Sequence, residues 1–178
     1  MQSQVGRVEE IGKADGVFWM SFNDFYMNFA SLSLCRIFEK DYTEVFFESE
    51  WKIAKASAGG CSNYDSVNYN PQMRLVVEAK RSSQPVQVFI QLILQGVTRQ
   101  DDKLGIGFEI YDLKGKKVTS RKLPSPKYTN DGGYKITSAV TFDGEMKSTG
   151  AKGLTVLIST FKPNCEAKFR FTVHYKHA

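Results

Sequence analysis

The residues in this 178-residue chain that could do chemistry are few and unevenly placed. Three cysteines, Cys35, Cys61 and Cys165, and two histidines, His174 and His177, are the only candidates for thiol–imidazole chemistry. A thiol protease needs a thiolate, a nearby imidazole and a group that orients the imidazole. Both histidines lie at the C-terminal end, His174 in a strand-like run and His177 beside the terminus. The cysteines are odd in number and lack the C-x-x-C spacing of zinc or redox sites, so they read as buried, reduced thiols. No catalytic set is expected in this chain. Asp101 and Asp102 stand together in a polar connection, and loop carboxylates can bind calcium by clustering around the ion. Arg99 and Lys103 flank them, so the cage is weak and competes with a plain solvated turn. No EF-hand loop occurs.

Charge is more informative. The net charge is +5, yet residues 101–178 hold 14 Lys/Arg against 8 Asp/Glu, so the excess belongs to the second half. Within it, residues 114–127 carry Lys114, Lys116, Lys117, Arg121, Lys122 and Lys127 with no acid between them. Each basic residue near an anionic lipid surface contributes on the order of 1 kcal/mol, so the run suits an anionic lipid surface or an acidic partner. The competing reading is an edge hairpin kept from aggregating by its lysines. Nucleic acid is not expected, because the aromatic residues alternate as core positions and form no stacking platform.

The elements that must position these groups are set by periodicity. Residues 1–14 show no period and read as a poorly ordered lead-in. Ser21 with Asp24 three residues on approximates a capping box for a short helix over 22–30, with Phe22, Phe25, Tyr26 and Phe29 on one face. That stripe must bury against the sandwich expected to follow it or against a second copy, unless the first 40 residues are partly disordered. Eight strands are expected, at 43–51, 73–79, 86–95, 104–113, 116–122, 134–142, 154–160 and 167–175. The fifth enters through a tight hairpin at Lys114-Gly115. Short strands at close spacing with little helix predict an all-β antiparallel sandwich over residues 41–178, with residues 1–40 as a helix-containing extension.

The stretch 57–75, SAGGCSNYDSVNYNPQMRL, is a long loop delivered into a strand. Gly59-Gly60 permits positive φ or close backbone approach, asparagines bond local backbone, and Pro71 pushes Asn70 toward extended geometry. Cys61, Asn63 and Tyr64 are read as fixing the loop's shape.

Trp51, Ala58-Gly59-Gly60-Cys61 with Asn63-Tyr64, and Asn70-Pro71-Gln72 with Arg74-Leu75 together resemble the opening of the C2-like β-sandwich domain that follows the protease core in calpains. Asp15-Gly16-Val17-Phe18-Trp19-Met20-Ser21-Phe22 with Asp24-Phe25 resembles the last segment of that core, and Cys35-Arg36-Ile37 its closing strand. Ile106-Gly107-Phe108-Glu109-Ile110-Tyr111 and Ser159-Thr160-Phe161-Lys162-Pro163 resemble two later sandwich strands, in the same order. The resemblance implies a C2-like domain preceded by a remnant of the core. The family's Gln-x-x-x-Gly-x-Cys-Trp-like nucleophile segment and its Asn-Pro-Trp-Gly segment are not in this chain.

The function this resemblance implies is that of a non-catalytic regulatory domain that passes calcium, phospholipid or domain binding to a protease core. Its partners would be the core and other domains of the parent chain, and an anionic membrane surface. The alternative is a protein-interaction scaffold with no calcium or lipid dependence. No charged-then-apolar leader, no Asn-x-Ser/Thr acceptor and no apolar run near 20 residues occur, which favours an intracellular, cytoplasmic or membrane-peripheral setting.

Overall fold

The computed structural model describes residues 19–30, 32, 36–78, 84–96 and 104–176. The chain divides into two compact units, Met1–Ile37 and Phe38–Ala178. In the first, α1 spans Phe22–Asn28 and is capped by Ser21, whose Oγ accepts from the Asp24 N–H at 3.1 Å and donates to its carboxylate at 2.7 Å. The cap satisfies one of the donors that a helix start leaves open. Phe25 stacks on Phe29 at 4.9 Å and Phe22 on Tyr26 at 6.4 Å.

The second unit is a sandwich of two antiparallel sheets. One has the order β1(Tyr42–Trp51), β9(Ala167–Lys176), β3(Val86–Gln95), β7(Ala139–Met146). The other has the order β2(Gln72–Leu75), β8(Leu154–Thr160), β4(Gly105–Tyr111), β5(Tyr128–Thr129), with β6(Lys135–Ile136) also pairing with β4. Period-two alternation decides the inner faces. Val88, Ile90 and Leu92 of β3 meet Ile106, Phe108 and Ile110 of β4 and Phe169, Phe171 and Val173 of β9 in one buried core. Trp51 crosses it, donating its indole N–H to the Ile158 carbonyl on the opposite sheet at 3.1 Å.

The two outer faces are unlike. Every residue of β8 is buried, because the face it shares with β4 is covered too: Tyr111 and Leu157 pack with Val67, Leu113 and Leu123 in a second small core. Val67 comes from the 3₁₀ turn Asp65–Tyr69 in the long loop, Leu113 immediately precedes the basic run and Leu123 lies within it. Two loops, not a helix, close this side.

Two expected strands are corrected. Residues 116–122 form no strand: Lys114 and Gly115 make the tight turn with φ of 57° and 70°, but the return strand pairs only at Tyr128, opposite Ile110. The segment KKVTSRK has a single apolar residue to bury, and Pro124 and Pro126 withhold ladder donors. The strand expected at 134–142 is split in two: Lys135–Ile136 pairs with β4 in one sheet, and Ala139–Met146 pairs with β3 in the other. Before them, Gly132 and Gly133 take φ of 75° and 67°. There Asn130 replaces ladder backbone, accepting from the Phe108 N–H at 3.0 Å and donating to the Gly133 carbonyl. The described residues therefore hold nine strands, two of them only two residues long, in place of eight.

Candidate functional site

The long loop is built on Asn70. Its buried amide accepts from the Gly59 N–H at 3.0 Å and donates to the carbonyls of Gly60 at 2.6 Å and Val67 at 2.9 Å. Gly59 has no room for a side chain, since a Cβ would stand 2.0 Å from the Ser66 carbonyl oxygen. The Cys61 N–H donates to the Phe161 carbonyl at 3.3 Å and the Asn164 N–H to that of Ala58 at 2.9 Å, which ties the glycines to the end of β8. Cys61 is buried and Asn63 is exposed. The expectation that Cys61, Asn63 and Tyr64 set the loop's shape leaves out Asn70: Cys61 and Tyr64 contribute main-chain bonds, the Tyr64 N–H donating to the Cys61 carbonyl at 3.1 Å, and three side-chain bonds run through Asn70, because a buried main-chain turn must find partners.

The basic run is a strap of irregular backbone laid along the end of this loop. Three side-chain contacts hold it, besides the main-chain bond from the Lys127 N–H to the Ile110 carbonyl at 2.7 Å. The Val118 N–H donates to Gln72 Oε1 at 2.7 Å while Gln72 Nε2 donates to the Val118 carbonyl at 3.2 Å. Thr155 Oγ1 donates to the Lys116 carbonyl at 2.7 Å. Arg121 Nε meets Asp65 Oδ1 at 2.9 Å. Val118 is buried, while Lys114, Lys116, Lys117, Arg121, Lys122 and Lys127 are all exposed.

Their charges are not equivalent. Lys114 lies 3.0 Å and Lys127 4.0 Å from Asp112, just outside the run. The Lys114 hydrogen bond foremost holds the Asp112 carboxyl below its ordinary range. Arg121 is taken by Asp65, distant in sequence. Lys116, Lys117 and Lys122 have no ion pair among the described residues and carry the strap's unneutralised charge. Arg74, absent from the sequence reading of the site, joins them: its aliphatic stem lies against Gly115, where a Cβ would come 2.7 Å from Arg74 Cδ and 2.3 Å from the Lys152 carbonyl. A groove of about 370 Å3 runs between Arg74, Gln72, Thr155, Gly115 and Lys117. Nothing in the spacing of residues 74 and 115 announces the contact between them.

A second polar cluster lies behind the strap on the covered face. Tyr111 donates its hydroxyl to Glu109 Oε2 at 2.9 Å, and Tyr134 is hydrogen-bonded to Ser159. Gly107 makes room for the Tyr134 ring, since a Cβ there would lie 2.9 Å from it. Burial pushes the Glu109 carboxyl above its ordinary value, partly offset by the Tyr111 hydroxyl. Burial, with the Glu109 charge, raises both phenols.

Asp101, Asp102, Cys35 and His177 lie outside the described residues. His174 stacks on Phe38 at 3.8 Å, beside Phe89, and is part of an aromatic cluster. Cys165 is half-buried, with its thiol 3.8 Å from the Pro163 carbonyl. Among the described residues no group of three metal-ligating side chains converges, and no helix is long and apolar enough to cross a membrane. On α1, Phe22 and Tyr26 are exposed.

The family description "Calpain large subunit, domain III" matches residues 47–174. The chain is 30% identical over 177 aligned residues to the calpain-type cysteine protease DEK1 of Arabidopsis thaliana, covering 91% of this chain and 8% of that protein. It shows the same identity and coverage with the calpain-type cysteine protease ADL1 of Oryza sativa subsp. japonica. With the calpain-2 catalytic subunit of Bos taurus it is 32% identical over 117 residues, 56% of this chain and 17% of that one. The chain thus spans less than a tenth of the length of its plant relatives. With the family description covering most of the sandwich and the loop 57–75 within it, this chain belongs to the calpain large subunit domain III family.

Proposed function

We propose that this chain is a non-catalytic regulatory module of a calpain-type cysteine protease, and that the strap carries its regulatory input by engaging an anionic surface. The carrying observation is the division of labour in residues 112–127. The backbone is fixed by Gln72 and Thr155, while Lys116, Lys117 and Lys122 are exposed with no ion pair among the described residues. A fixed backbone holds these charges together at no further ordering cost, which favours a contact made by several weak electrostatic terms. Catalysis belongs to the protease core of the parent protein, whose Cys, His and Asn are not residues of this chain. The exposed Phe22 and Tyr26 of α1 suit packing on that core; self-association through the same stripe is the competing use. Calcium, if it acts here, acts at Asp101 and Asp102. The setting is cytoplasmic, at or near a membrane. Regulation requires that the bound and free states differ in contacts with the core.

Co-sedimentation with phosphatidylserine-containing vesicles tests this, with calcium or chelator and at low and physiological salt. Calcium-independent binding that fades as salt rises, and that is lost when Lys116, Lys117 and Lys122 are changed to Glu, supports the strap. Calcium-dependent binding moves the site to Asp101 and Asp102. No binding in any condition favours the alternative, a protein-interaction scaffold.

A further inference from the structure

The sandwich has a ten-residue edge strand whose protection is incomplete. β1 pairs with β9 along its whole length, from Tyr42 opposite Lys176 to Trp51 opposite Ala167, and among the described residues no strand lies on its other side. Glu50 shows which main-chain groups face that open side. Its carbonyl points away from β9 and accepts the Ser57 hydroxyl at 3.0 Å. In an antiparallel strand the outward-pointing pairs recur every second residue, so the N–H and C=O of Glu44, Phe46 and Glu48 point out of the same edge. The turn 52–57 closes the edge beyond Glu50, and at the other end the Tyr42 N–H is taken by the Glu39 carbonyl at 3.1 Å. A window over residues 44–48 is left, without proline or lysine in it.

The side chains on either side of this window say what fits. On the inner face Val45 points between the sheets yet is 46% exposed. It stands at the mouth of a mostly apolar cleft of about 250 Å3 walled by Leu75, Val77, Val88, Val173 and Tyr175, with the acidic Glu78 also in its lining. On the outer face the same stretch presents Glu44 and Glu48 with Phe46 between them, 58% exposed. Arg170 is shared, at 2.9 Å from Glu44 and 3.7 Å from Glu48, with its guanidinium 3.9 Å from the Phe46 ring. One guanidinium for two carboxylates leaves the edge with net negative charge. A partner strand would alternate in the same way as β1, placing one set of side chains over the cleft and the other beside the glutamates.

We infer that the β1 edge takes up an extended peptide segment with alternating apolar and basic side chains, which joins the four-stranded sheet as a fifth strand. Main-chain hydrogen bonds to Glu44, Phe46 and Glu48 supply the affinity and the cleft beside Val45 with the two carboxylates supplies the choice of sequence, as in other strand-addition sites. A second copy docking β1 against β1 would set glutamates against glutamates, which is unfavourable across strands. β9 itself displays the favoured pattern: Lys168, Arg170 and His174 alternate with Phe169, Phe171 and Val173 against the other side of β1.

The test uses the whole 178-residue chain and a synthetic peptide copying residues 168–174, with a second peptide in which Lys168 and Arg170 are replaced by Glu. Amide hydrogen exchange of Glu44, Phe46 and Glu48 is expected to slow about tenfold with the basic peptide and to be unchanged with the acidic one. Replacing Glu44 and Glu48 together by Lys is expected to invert that preference. Phe46→Pro removes an outward donor without removing a bond to β9 and is expected to abolish protection. Equal protection by both peptides, protection confined to other residues, or a concentration-dependent dimer whose protected amides are those of β1 would each overturn the inference. The two-peptide comparison needs no variant to fold. It is also independent of vesicle binding, since the strap lies on the other sheet.

Discussion

The side-chain amide of Gln72 forms with the main chain of Val118 the pair of hydrogen bonds that a neighbouring strand would have formed, accepting at 2.7 Å and donating at 3.2 Å. Gln72 Nε2 also donates to the Asn68 carbonyl at 2.9 Å, which holds the amide in place. One side chain thus joins the long loop, the edge of β2 and the basic strap.

Gln72→Leu is expected to destabilise the chain by about 1–3 kcal/mol, because the buried Val118 N–H loses its acceptor. Urea unfolding followed by tryptophan fluorescence measures it. Exchange at the Val118 amide is expected to accelerate by more than the global loss, since the strap has few other anchors. Equal acceleration throughout the sandwich would show that the strap does not open on its own.

Asn70→Ala is expected to cost about 1–3 kcal/mol by leaving the Gly59 N–H unsatisfied, whereas Asn63→Ala, at an exposed site, stays within about 0.5 kcal/mol of the parent. Gly59→Ala forces a Cβ to 2.0 Å from the Ser66 carbonyl oxygen and is expected to be at least as damaging as Asn70→Ala. Thermal melts of the three variants rank them.

The strap's lysines are expected to separate into two classes. Charge reversal at Lys117 or Lys122 weakens binding to anionic vesicles with little change in melting temperature, because neither has an ion pair among the described residues. Arg121→Ala breaks an exposed pair with Asp65, 2.9 Å away, worth about 0–1 kcal/mol, and acts through the strap's position. Vesicle titrations at two salt concentrations distinguish them: reversal of a binding lysine lowers the salt dependence, and loosening of the strap leaves it unchanged.

Glu109 is expected to give the stability an inverse pH dependence. Its carboxyl is raised above the ordinary 4.5 by burial, so the folded chain holds that proton more tightly than the unfolded one. The contribution is fully present below the unfolded value and is lost as pH rises through the folded value. Glu109→Gln keeps an acceptor for Tyr111 and removes the buried charge. It is expected to stabilise the chain at pH 7 and to make no difference near pH 3. Denaturant unfolding at the two pH values checks the sign.

The strands of the two sheets are legible wherever apolar and polar residues alternate. Residues 86–95 and 167–175 can be placed from sequence because a half-buried strand has the side-chain period of two that they display. The cap at Ser21 is equally plain, since its hydroxyl and the Asp24 amide are neighbours in the chain. The strap is not legible. Lys114-Gly115 marks the turn, but whether the residues after it pair as a strand depends on Gln72, more than forty positions away. The burial of Leu157 and Tyr111 on the outer face of their sheet depends on Val67 and Leu123 arriving over it.

By itself, then, the amino-acid order determined the all-β class, the alternating faces that become the main core, the tight turns at glycine and the concentration of basic residues in 114–127. These are local properties, set by side-chain period, backbone freedom and composition. Tertiary structure alone decided which lysines are neutralised by Asp112 and that Arg121 is taken by Asp65, that Arg74 stands against Gly115, and that among the described residues β1 is an edge with Val45 open to solvent. Most of these turn on pairs of residues far apart in sequence, and hydrogen bonds, ion pairs and burial act over a few ångströms of space regardless of the length of chain between them.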